Sequence, residues 1–154
     1  MTSSQRGMLD DISRAIIEQL QEDGRRPYAS IGKAVGLSEA AVRQRVQKLV
    51  DSGVMQIVAV TDPAMTGFAR EAMITVWVSG DVHAVAAKLA ELDEVVYIVV
   101  TAGTFDLLAE VVVRDDEHLL ELLNNRIRTV DGVVRTESHV YLKLIKQTYN
   151  WGAR

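Results

Sequence analysis

The sequence contains no cysteine, only two prolines and few aromatic side chains. The absence of cysteine excludes disulfide bonds, thiolate zinc sites and a cysteine nucleophile, and it agrees with a reducing compartment. No apolar run approaches the roughly 18 residues that a membrane-spanning helix requires. The first seven residues, MTSSQRG, are too short and too polar for a secretory signal. These absences predict a soluble cytoplasmic protein that has no membrane partner.

Sequence motifs of catalysis are missing as well. There is no glycine-rich phosphate loop, no Gly-x-Ser-x-Gly elbow and no His-Glu-x-x-His pair. The three histidines, His83, His118 and His139, are scattered over two predicted helices and a strand. Each is most simply a surface or edge residue, so the sequence predicts no enzyme, no metal site and no cofactor.

The composition is that of an ordinary globular protein, but its charged residues are unevenly distributed along the chain. The 154 residues are 48% hydrophobic and 25% charged, enough for one large domain or two small ones. Up to position 52 there are eight basic and seven acidic side chains, and after it nine basic and fourteen acidic ones. Two regions with different partners would explain this imbalance. The formal net charge of -4 disfavours non-specific phosphate binding, yet a local basic face can still dock on DNA.

Apolar residues at helical spacing predict two short helices at the start of the chain. The first ends near Gly24, and the second runs from Pro27, which the first turn of a helix tolerates, to Gly36. The predicted inward positions are Leu9, Ile12, Ile16, Ile17 and Leu20 in the first helix, and Ile31, Ala34 and Val35 in the second.

A third helix is predicted within GLSEAAVRQRVQKLVDSGVM, residues 36–55. Ser38 can cap it by accepting hydrogen bonds from the free N–H groups of the first turn. Its predicted apolar face consists of Val42, Val46, Leu49 and Val50, and Gly53 ends it. A short helix, a tight turn and a capped helix are typical of a helix-turn-helix, whose last helix lies in a DNA major groove.

The side of this third helix opposite its apolar face is polar and basic. At about 100° per residue, Ala40, Gln44, Gln47 and Asp51 point outward, Arg43 and Lys48 flank them, and Arg45 lies nearer the core edge. Glutamine can pair with adenine or phosphate, and the flanking cations suit phosphates. The candidate DNA-binding residues are Ser38, Ala40, Ala41, Arg43, Gln44, Arg45, Gln47 and Lys48. The alternative is a solvated amphipathic helix, since basic residues on outward faces are common.

After the helices the pattern changes to strands. The β-rich stretch VMQIVAVTDP, Val54 to Pro63, predicts a strand that closes a first domain over residues 8–63, with a linker over 64–70. Residues 71–146 then follow the order βαββαβ, which predicts a ferredoxin-like sandwich and an α+β protein. Neither side of the first strand, EAMITVWVS, is clearly polar. A sheet that is apolar on both sides predicts a dimer.

These features together resemble the Lrp/AsnC family of leucine- and asparagine-responsive regulators. The resemblance rests on LDDISRAIIEQLQEDGR, GLSEAAVRQRVQKLVDSGVM, DPAMTG and TAGTFDLL, in this order over nearly the whole chain. It implies a winged-type helix-turn-helix joined to an ACT-like domain for regulation of amino-acid metabolism. It also implies binding to double-stranded DNA at an approximately palindromic operator. The expected assembly is a homodimer that forms a higher oligomer, an octamer, with an amino acid or related effector bound where C-terminal domains meet.

The resemblance also indicates the effector site. In TAGTFD the family pattern falls on Thr101, Ala102, Gly103, Thr104 and Asp106, and its paired hydroxyls fall on Thr136 and Ser138. Backbone N–H groups exposed at glycine can hold a carboxylate, and an aspartate can accept from an ammonium group. Ala102 departs from the family pattern because it lacks a hydroxyl, and Gly32 departs from it in the second helix, where it predicts a weaker helix. The alternative for the loop is a plain hairpin turn.

Two other functions stay open at the level of sequence. The two-domain architecture also resembles that of tetrapyrrole decarboxylases, which use histidine and basic side chains around their substrate. His139 with the nearby Lys143 is the only hint of such an enzyme in this sequence. A stand-alone interaction module that has lost DNA binding is the third reading, and the basic third helix argues against it. In the tail, residues 147–154, Tyr149 and Trp151 are expected to seal an interface or a sheet edge.

Overall fold

Three helices form the first part of the computed structural model, which describes residues 9–148. They are α1 (Asp11–Glu22), α2 (Tyr28–Val35) and α3 (Glu39–Asp51). Helix α1 begins where the Asp10 carboxylate accepts from the Ser13 N–H at 2.7 Å, and α3 begins where the Ser38 hydroxyl accepts from the Ala41 N–H at 3.2 Å. Helix α2 ends at Gly36, which has a φ of 74°. The three predicted helices and the Ser38 cap are confirmed.

The core of these helices is mostly the predicted one. Its main cluster of buried side chains consists of Ile16, Leu20, Ile31, Val42 and Val46. Two predicted inward residues are wrong, because Ala34 and Val50 are exposed. Gly32 is buried instead, and a Cβ there would lie 2.5 Å from the Leu37 carbonyl oxygen. The glycine therefore lets the turn between α2 and α3 approach α2 closely. The expectation from the sequence, that Gly32 only weakens α2, did not include this close approach.

The segment between the helices and the sheet is not the predicted strand. Residues 54–62 are extended or irregular and pair with no strand in the part of the chain that the structure describes. Strand Val54–Pro63 is therefore a wrong prediction for a single chain, because an extended segment becomes a strand only beside a partner. Its apolar side chains Val54, Ile57, Val58 and Val60 are exposed. A 3₁₀ turn, Pro63–Thr66, follows and is capped by Asp62.

The second part of the structure is a four-stranded antiparallel sheet with helices. Its elements are β1 (Arg70–Val78), α4 (Val82–Ala90), β2 (Val95–Val100), β3 (Leu107–Val113), α5 (Asp116–Glu121) and β4 (Val133–Val140). The strand order is β2-β3-β1-β4. The predicted βαββαβ order and ferredoxin-like α+β fold are confirmed, although β4 ends at Val140 and does not continue to Ile145 as the sequence pattern predicted.

One side of the sheet is buried under α4 and α5. Ala72, Ile74 and Val76 of β1 are fully buried on this side. The remaining core members are Val85, Leu89, Leu107, Ala109, Val111, Val113, Leu119, Leu122, Leu123 and Ile127. Helix α5 continues into a π-helical turn, Leu122–Ile127. The regular alternation of buried and less buried positions along β3 is what a sheet with one covered side requires, whereas in β1 Thr75 is buried as well although it points to the other side.

The other side of the sheet, called the open face below, carries neither α4 nor α5. It presents Met73, Thr75 and Trp77 of β1, Leu108, Glu110 and Val112 of β3, and Arg135, Glu137 and His139 of β4. The Arg135 guanidinium lies 4.4 Å from the centre of the Trp77 ring. Burial and a hydrogen bond to Glu110 raise the pKa of Tyr141 to about 12. The open face therefore combines apolar side chains of β1 and β3 with the carboxylates of Glu71 and Glu110 and with the charged side chains of β4.

The described residues divide into two compact units, 9–59 with 146–148, and Val60–Ile145. The hydrophobic clusters of the two units share no residue within this range. None of the helices between residues 9 and 148 is long and apolar enough to cross a membrane. In the same range, no group of three or more histidine, aspartate and glutamate side chains is arranged to hold a metal. The tail residues Tyr149 and Trp151 lie outside the described residues.

Candidate functional site

The outward side of α3 is a shallow surface lined by residues of that helix and its C-cap. They are Ala40, Arg43, Gln44, Gln47, Lys48, Asp51 and Ser52. We call this surface the α3 face. It brings together the four residues expected to point outward and the two expected to flank them. After Glu39, the first turn of α3 carries the small residues Ala40 and Ala41, and small side chains let a helix N-terminus approach base edges closely.

The side chains of the α3 face differ in the hydrogen bonds and ion pairs that they make within the chain. Arg43 donates to Glu39 at 2.8 Å and lies 5.3 Å from the centre of the Tyr28 ring. Gln47 donates to Asp51 at 2.8 Å. Gln44 and Lys48 have no hydrogen-bond or ion-pair partner among residues 9–148. These two side chains are therefore available for a ligand without breaking a contact within the chain.

Arg45 lies away from the α3 face and joins two helices. Its guanidinium donates to the Asp10 carboxylate at 2.8 Å and to the Ser13 hydroxyl at 3.2 Å, which fixes α3 against the start of α1. Hydrogen bonds from Ser13 and Arg45 lower the pKa of Asp10 below its ordinary range. Arg45 is half-buried, as expected for a residue near the core edge. Its contacts are those of a residue that positions the helix.

The predicted effector loop, residues 101–106, connects β2 and β3 in a series of bends. The Thr101 N–H donates to the Asp106 carbonyl at 2.9 Å, and the Thr101 hydroxyl donates to the Phe105 carbonyl at 2.5 Å. Between these closing bonds, the N–H groups of residues 102–105 find no acceptor in the described part of the chain. A Cβ at Gly103 would meet nothing within 4 Å. The loop thus presents four adjacent unused donors at an open surface.

Asp106 has a structural contact that the sequence pattern did not indicate. Its carboxylate accepts from the Val78 N–H at 2.8 Å, and its own N–H donates to the Val76 carbonyl at 3.0 Å. The first bond satisfies a backbone donor at the register shift between Trp77 and Val78. One carboxylate oxygen therefore holds the end of β1, and the other oxygen remains for a further donor.

Thr136 and Ser138 lie on the helix-covered side of β4. Their partners across the ladder are Val76 and Ile74, and directly opposed residues of an antiparallel pair point to the same side. Because β1 separates β3 from β4, the loop and these hydroxyls are two interstrand spacings apart, about 10 Å. The Thr136 hydroxyl accepts from the Arg128 guanidinium at 3.0 Å. Sequence reasoning missed Arg128, because no local pattern places the end of the π-helical turn beside β4.

Comparison with known proteins matches both parts of the chain to domains of one family. Residues 9–50 match the AsnC-type helix-turn-helix domain, and residues 71–151 match the Lrp/AsnC ligand binding domain. A relative from Pyrococcus furiosus, the HTH-type transcriptional regulator FL11, is 35% identical over 145 residues, covering 93% of this chain and 95% of that protein. The chain belongs to the Lrp/AsnC family. The HTH-type regulator LrpA from Pyrococcus horikoshii is 30% identical over 141 residues, and the match covers 90% of this chain and all of that protein.

Solved Lrp/AsnC structures share the fold of this chain. Escherichia coli AsnC superimposes with a TM-score of 0.82 at 27% identity, covering 92% of this chain and 97% of that one. A transcriptional regulator from Neisseria meningitidis, solved as a complex with L-Met, gives a TM-score of 0.83 at 26% identity over 94% and 97%. The chain is therefore a transcriptional regulator of Lrp/AsnC type with a DNA-binding helix-turn-helix and a ligand-binding domain, and its relatives are regulators, not enzymes.

The histidines of this Lrp/AsnC chain do not favour the decarboxylase alternative. His83 and His139 are exposed, as expected of surface residues. His118 is more buried and lies 3.2 Å from the Glu94 carboxylate, while its other ring nitrogen accepts from the Arg114 N–H at 3.3 Å. Arg126 donates to the same carboxylate at 2.7 Å. This cluster ties the loop before β2 to α5 and occupies both ring nitrogens of His118.

Proposed function

We propose that the chain regulates transcription in the cytoplasm by binding an approximately palindromic operator through the α3 faces of two subunits. The observation that carries the proposal is the α3 face itself, where Gln44 and Lys48 have no hydrogen-bond or ion-pair partner among residues 9–148 and Arg43 lies at the edge. Gln44 would contact a base edge, while Lys48 and Arg43 would contact phosphates on either side. A cap at Ser38 and the Arg45–Asp10 pair would hold the helix in position during binding.

We infer further that an amino acid alters this DNA binding through the loop 101–106. The unused N–H groups of residues 102–105 would hold the α-carboxylate, as backbone donors hold anions elsewhere. The free oxygen of Asp106 would accept from the ammonium group. The L-Met complex of the Neisseria meningitidis neighbour supports an amino acid as the kind of effector. Ala102 offers no hydroxyl, and the Thr101 hydroxyl is already bonded to Phe105, so backbone groups would supply most of the recognition.

The proposal requires more than one subunit. The exposed apolar segment 54–60 lacks a partner strand in the described chain, and the open face of the sheet carries apolar side chains of β1 and β3 that neither α4 nor α5 covers. A second copy would supply a partner strand and cover such a face. Two-fold symmetry would then place two α3 helices about one DNA turn apart, or a multiple of it. Light scattering should give an even multiple of 17.0 kDa, up to the octamer, and a stable monomer at micromolar concentration would overturn this arrangement.

Footprinting tests the function as a whole. The full chain would be applied to the intergenic DNA beside its own gene, with and without each of the twenty amino acids. We expect protection of an approximately palindromic site and a change of its extent with one or a few amino acids. An amino acid can change DNA affinity only if it binds one assembly or spacing more tightly than another. Protection that is absent, or that never responds to any amino acid at millimolar concentration, would contradict the proposal.

A further inference from the structure

Arg128 stands beside the proposed effector site and is held there by two hydrogen bonds. One guanidinium nitrogen, Nε, donates to the Thr136 hydroxyl at 3.0 Å, and a terminal nitrogen donates to the Asn124 side-chain oxygen at 2.6 Å. Thr136 is one of the two hydroxyls that the family pattern assigns to the effector. The Arg128 side chain is therefore directed toward that hydroxyl, while its second terminal nitrogen has no partner among the described residues.

The acceptors of Arg128 are neutral, whereas three neighbouring arginines bind carboxylates. Arg70, Arg126 and Arg135 are each paired with a carboxylate, of Asp116, Glu94 and Glu137 respectively. Arg114 donates to His118. Arg128 makes no ion pair within residues 9–148. Its full positive charge is thus uncompensated by any contacting carboxylate of the described chain, and its free N–H donors can make charge-assisted hydrogen bonds.

A change in helix geometry brings Arg128 to β4. The Arg128 N–H donates to the Leu123 carbonyl, five residues back, at 3.0 Å, which is the bond of a π-helix. A π-helical turn contains one residue more than an α-helical turn, so it shifts every following residue around the helix axis. Such turns are frequent at functional sites. Here the turn keeps Leu122, Leu123 and Ile127 in the core while Arg128 reaches the exposed edge of the sheet.

We propose that Arg128 binds a side-chain carboxylate of the effector and so makes this regulator selective for an acidic amino acid. The inference rests on the proposed effector function of the loop 101–106, which would bind the amino-acid head group. The fork of a guanidinium matches the two oxygens of a carboxylate. A side-chain amide offers it one acceptor and turns an N–H₂ donor toward a group that has only donors. Aspartate or glutamate is therefore preferred over asparagine or glutamine.

Calorimetry on the full chain with aspartate, glutamate, asparagine and glutamine tests this selectivity. Each acid and its amide have nearly the same shape, so their comparison isolates the carboxylate. We expect one of the two acids to bind about tenfold or more tightly than its amide, the size expected of a charge-assisted bond. Arg128→Gln should bring the ratio of the two dissociation constants to about one, and Arg128→Lys should keep part of it.

Arg126→Gln is the matched control, because it makes the same replacement two residues earlier at an arginine that is paired with Glu94. It should keep the preference for the acid. Circular dichroism checks that each variant is folded, and the wild-type comparison stands even if Arg128→Gln does not fold. Equal or tighter binding of the amide by the wild type, or an unchanged preference in Arg128→Gln, would overturn the role of Arg128.

The outcomes also separate this inference from the function on which it rests. Tight binding of a neutral amino acid, with no preference for acids, would leave an amino-acid-responsive regulator and remove acidic selectivity. Failure of all twenty amino acids to bind at millimolar concentration would overturn both the effector function of the loop and the role of Arg128. Binding of an acid that is lost in Arg128→Gln but kept in Arg126→Gln would support both.

Discussion

The two candidate sites are built from different kinds of structure. The α3 face is made of side chains that one helix presents within a few turns, and Gln44 and Lys48 have no hydrogen-bond or ion-pair partner among the described residues. The proposed effector site combines backbone donors of the loop 101–106 with side chains on β4 and after α5. In that site, Asp106 and Thr136 already accept hydrogen bonds from other parts of the same chain. Substitutions at α3 should therefore change function alone, whereas substitutions at the effector site should change stability as well.

Asp106→Ala should give the largest effect and the clearest test of this difference. It leaves the partly buried Val78 N–H without an acceptor, which should lower the free energy of unfolding by about 1–3 kcal/mol. It should also abolish the response to an amino acid while promoter binding persists. Urea unfolding and footprinting measure the two consequences.

Asp106→Asn is the control that separates the two roles of this carboxylate. An asparagine oxygen can still accept from the Val78 N–H, so stability should stay near that of the wild type. The charge that would attract an ammonium group is lost, so the amino-acid response should weaken. Wild-type effector affinity in both variants would show that the loop is a plain hairpin turn.

Gln44→Ala should change DNA recognition without changing stability. If Gln44 contacts a base edge, its removal should cost about 1–3 kcal/mol on the preferred site and little on random DNA. Gln47→Ala is the matched control, because Gln47 is already bonded to Asp51 and should contribute less. Gel-shift titrations on both DNAs measure the difference. Equal losses on specific and random DNA would remove Gln44 from the residues that read sequence.

Lys48→Ala and Arg43→Ala should weaken binding to all DNA sequences alike. Each should reduce the salt dependence of binding by about one ion, as expected for a phosphate contact. We expect the larger loss of affinity at Lys48, which has no ion pair in the described chain, than at Arg43, which must leave Glu39 to reach a phosphate. A salt titration with each variant ranks the two residues, and an unchanged slope in both would place these cations outside the interface.

The smallest expected effect concerns the pair that fixes α3 to α1. The pKa of Asp10 is lowered by its hydrogen bonds to Ser13 and Arg45. Its contribution to stability is therefore complete above the ordinary aspartate pKa of about 4 and is lost as the pH falls below it. Asp10→Asn should make unfolding less dependent on pH in this acidic range than it is in the wild type. Urea unfolding of both proteins between neutral and acidic pH measures the difference.

The parts of the molecule that depend on local spacing were predictable from the sequence. The cap at Ser38 and the buried Val42, Val46 and Leu49 follow from helical periodicity. The order of strands and helices follows from the change of period along the chain. Val50 was placed wrongly because it lies at the margin of the apolar stripe, where a small rotation of the helix decides its exposure.

Features that depend on distant neighbours were not predictable. The pattern of residues 54–63 fits a strand, but its partner is not within the described chain. The bond from Val78 to Asp106 depends on how β1 meets β3, and the contact of Arg128 with Thr136 depends on a π-helical turn. The sequence suggested where an effector loop lies without indicating which of its groups the fold already uses.

The separate hydrophobic clusters of the two units have an evolutionary consequence. Ile16, Ile31 and Val42 belong to one cluster, and Ile74, Leu107 and Leu122 belong to another, with no member in common among the described residues. A substitution within one cluster therefore replaces no side chain of the other. Descendants of this gene can therefore acquire a new operator preference and a new effector in separate mutational steps, without the compensating changes that a shared core would demand.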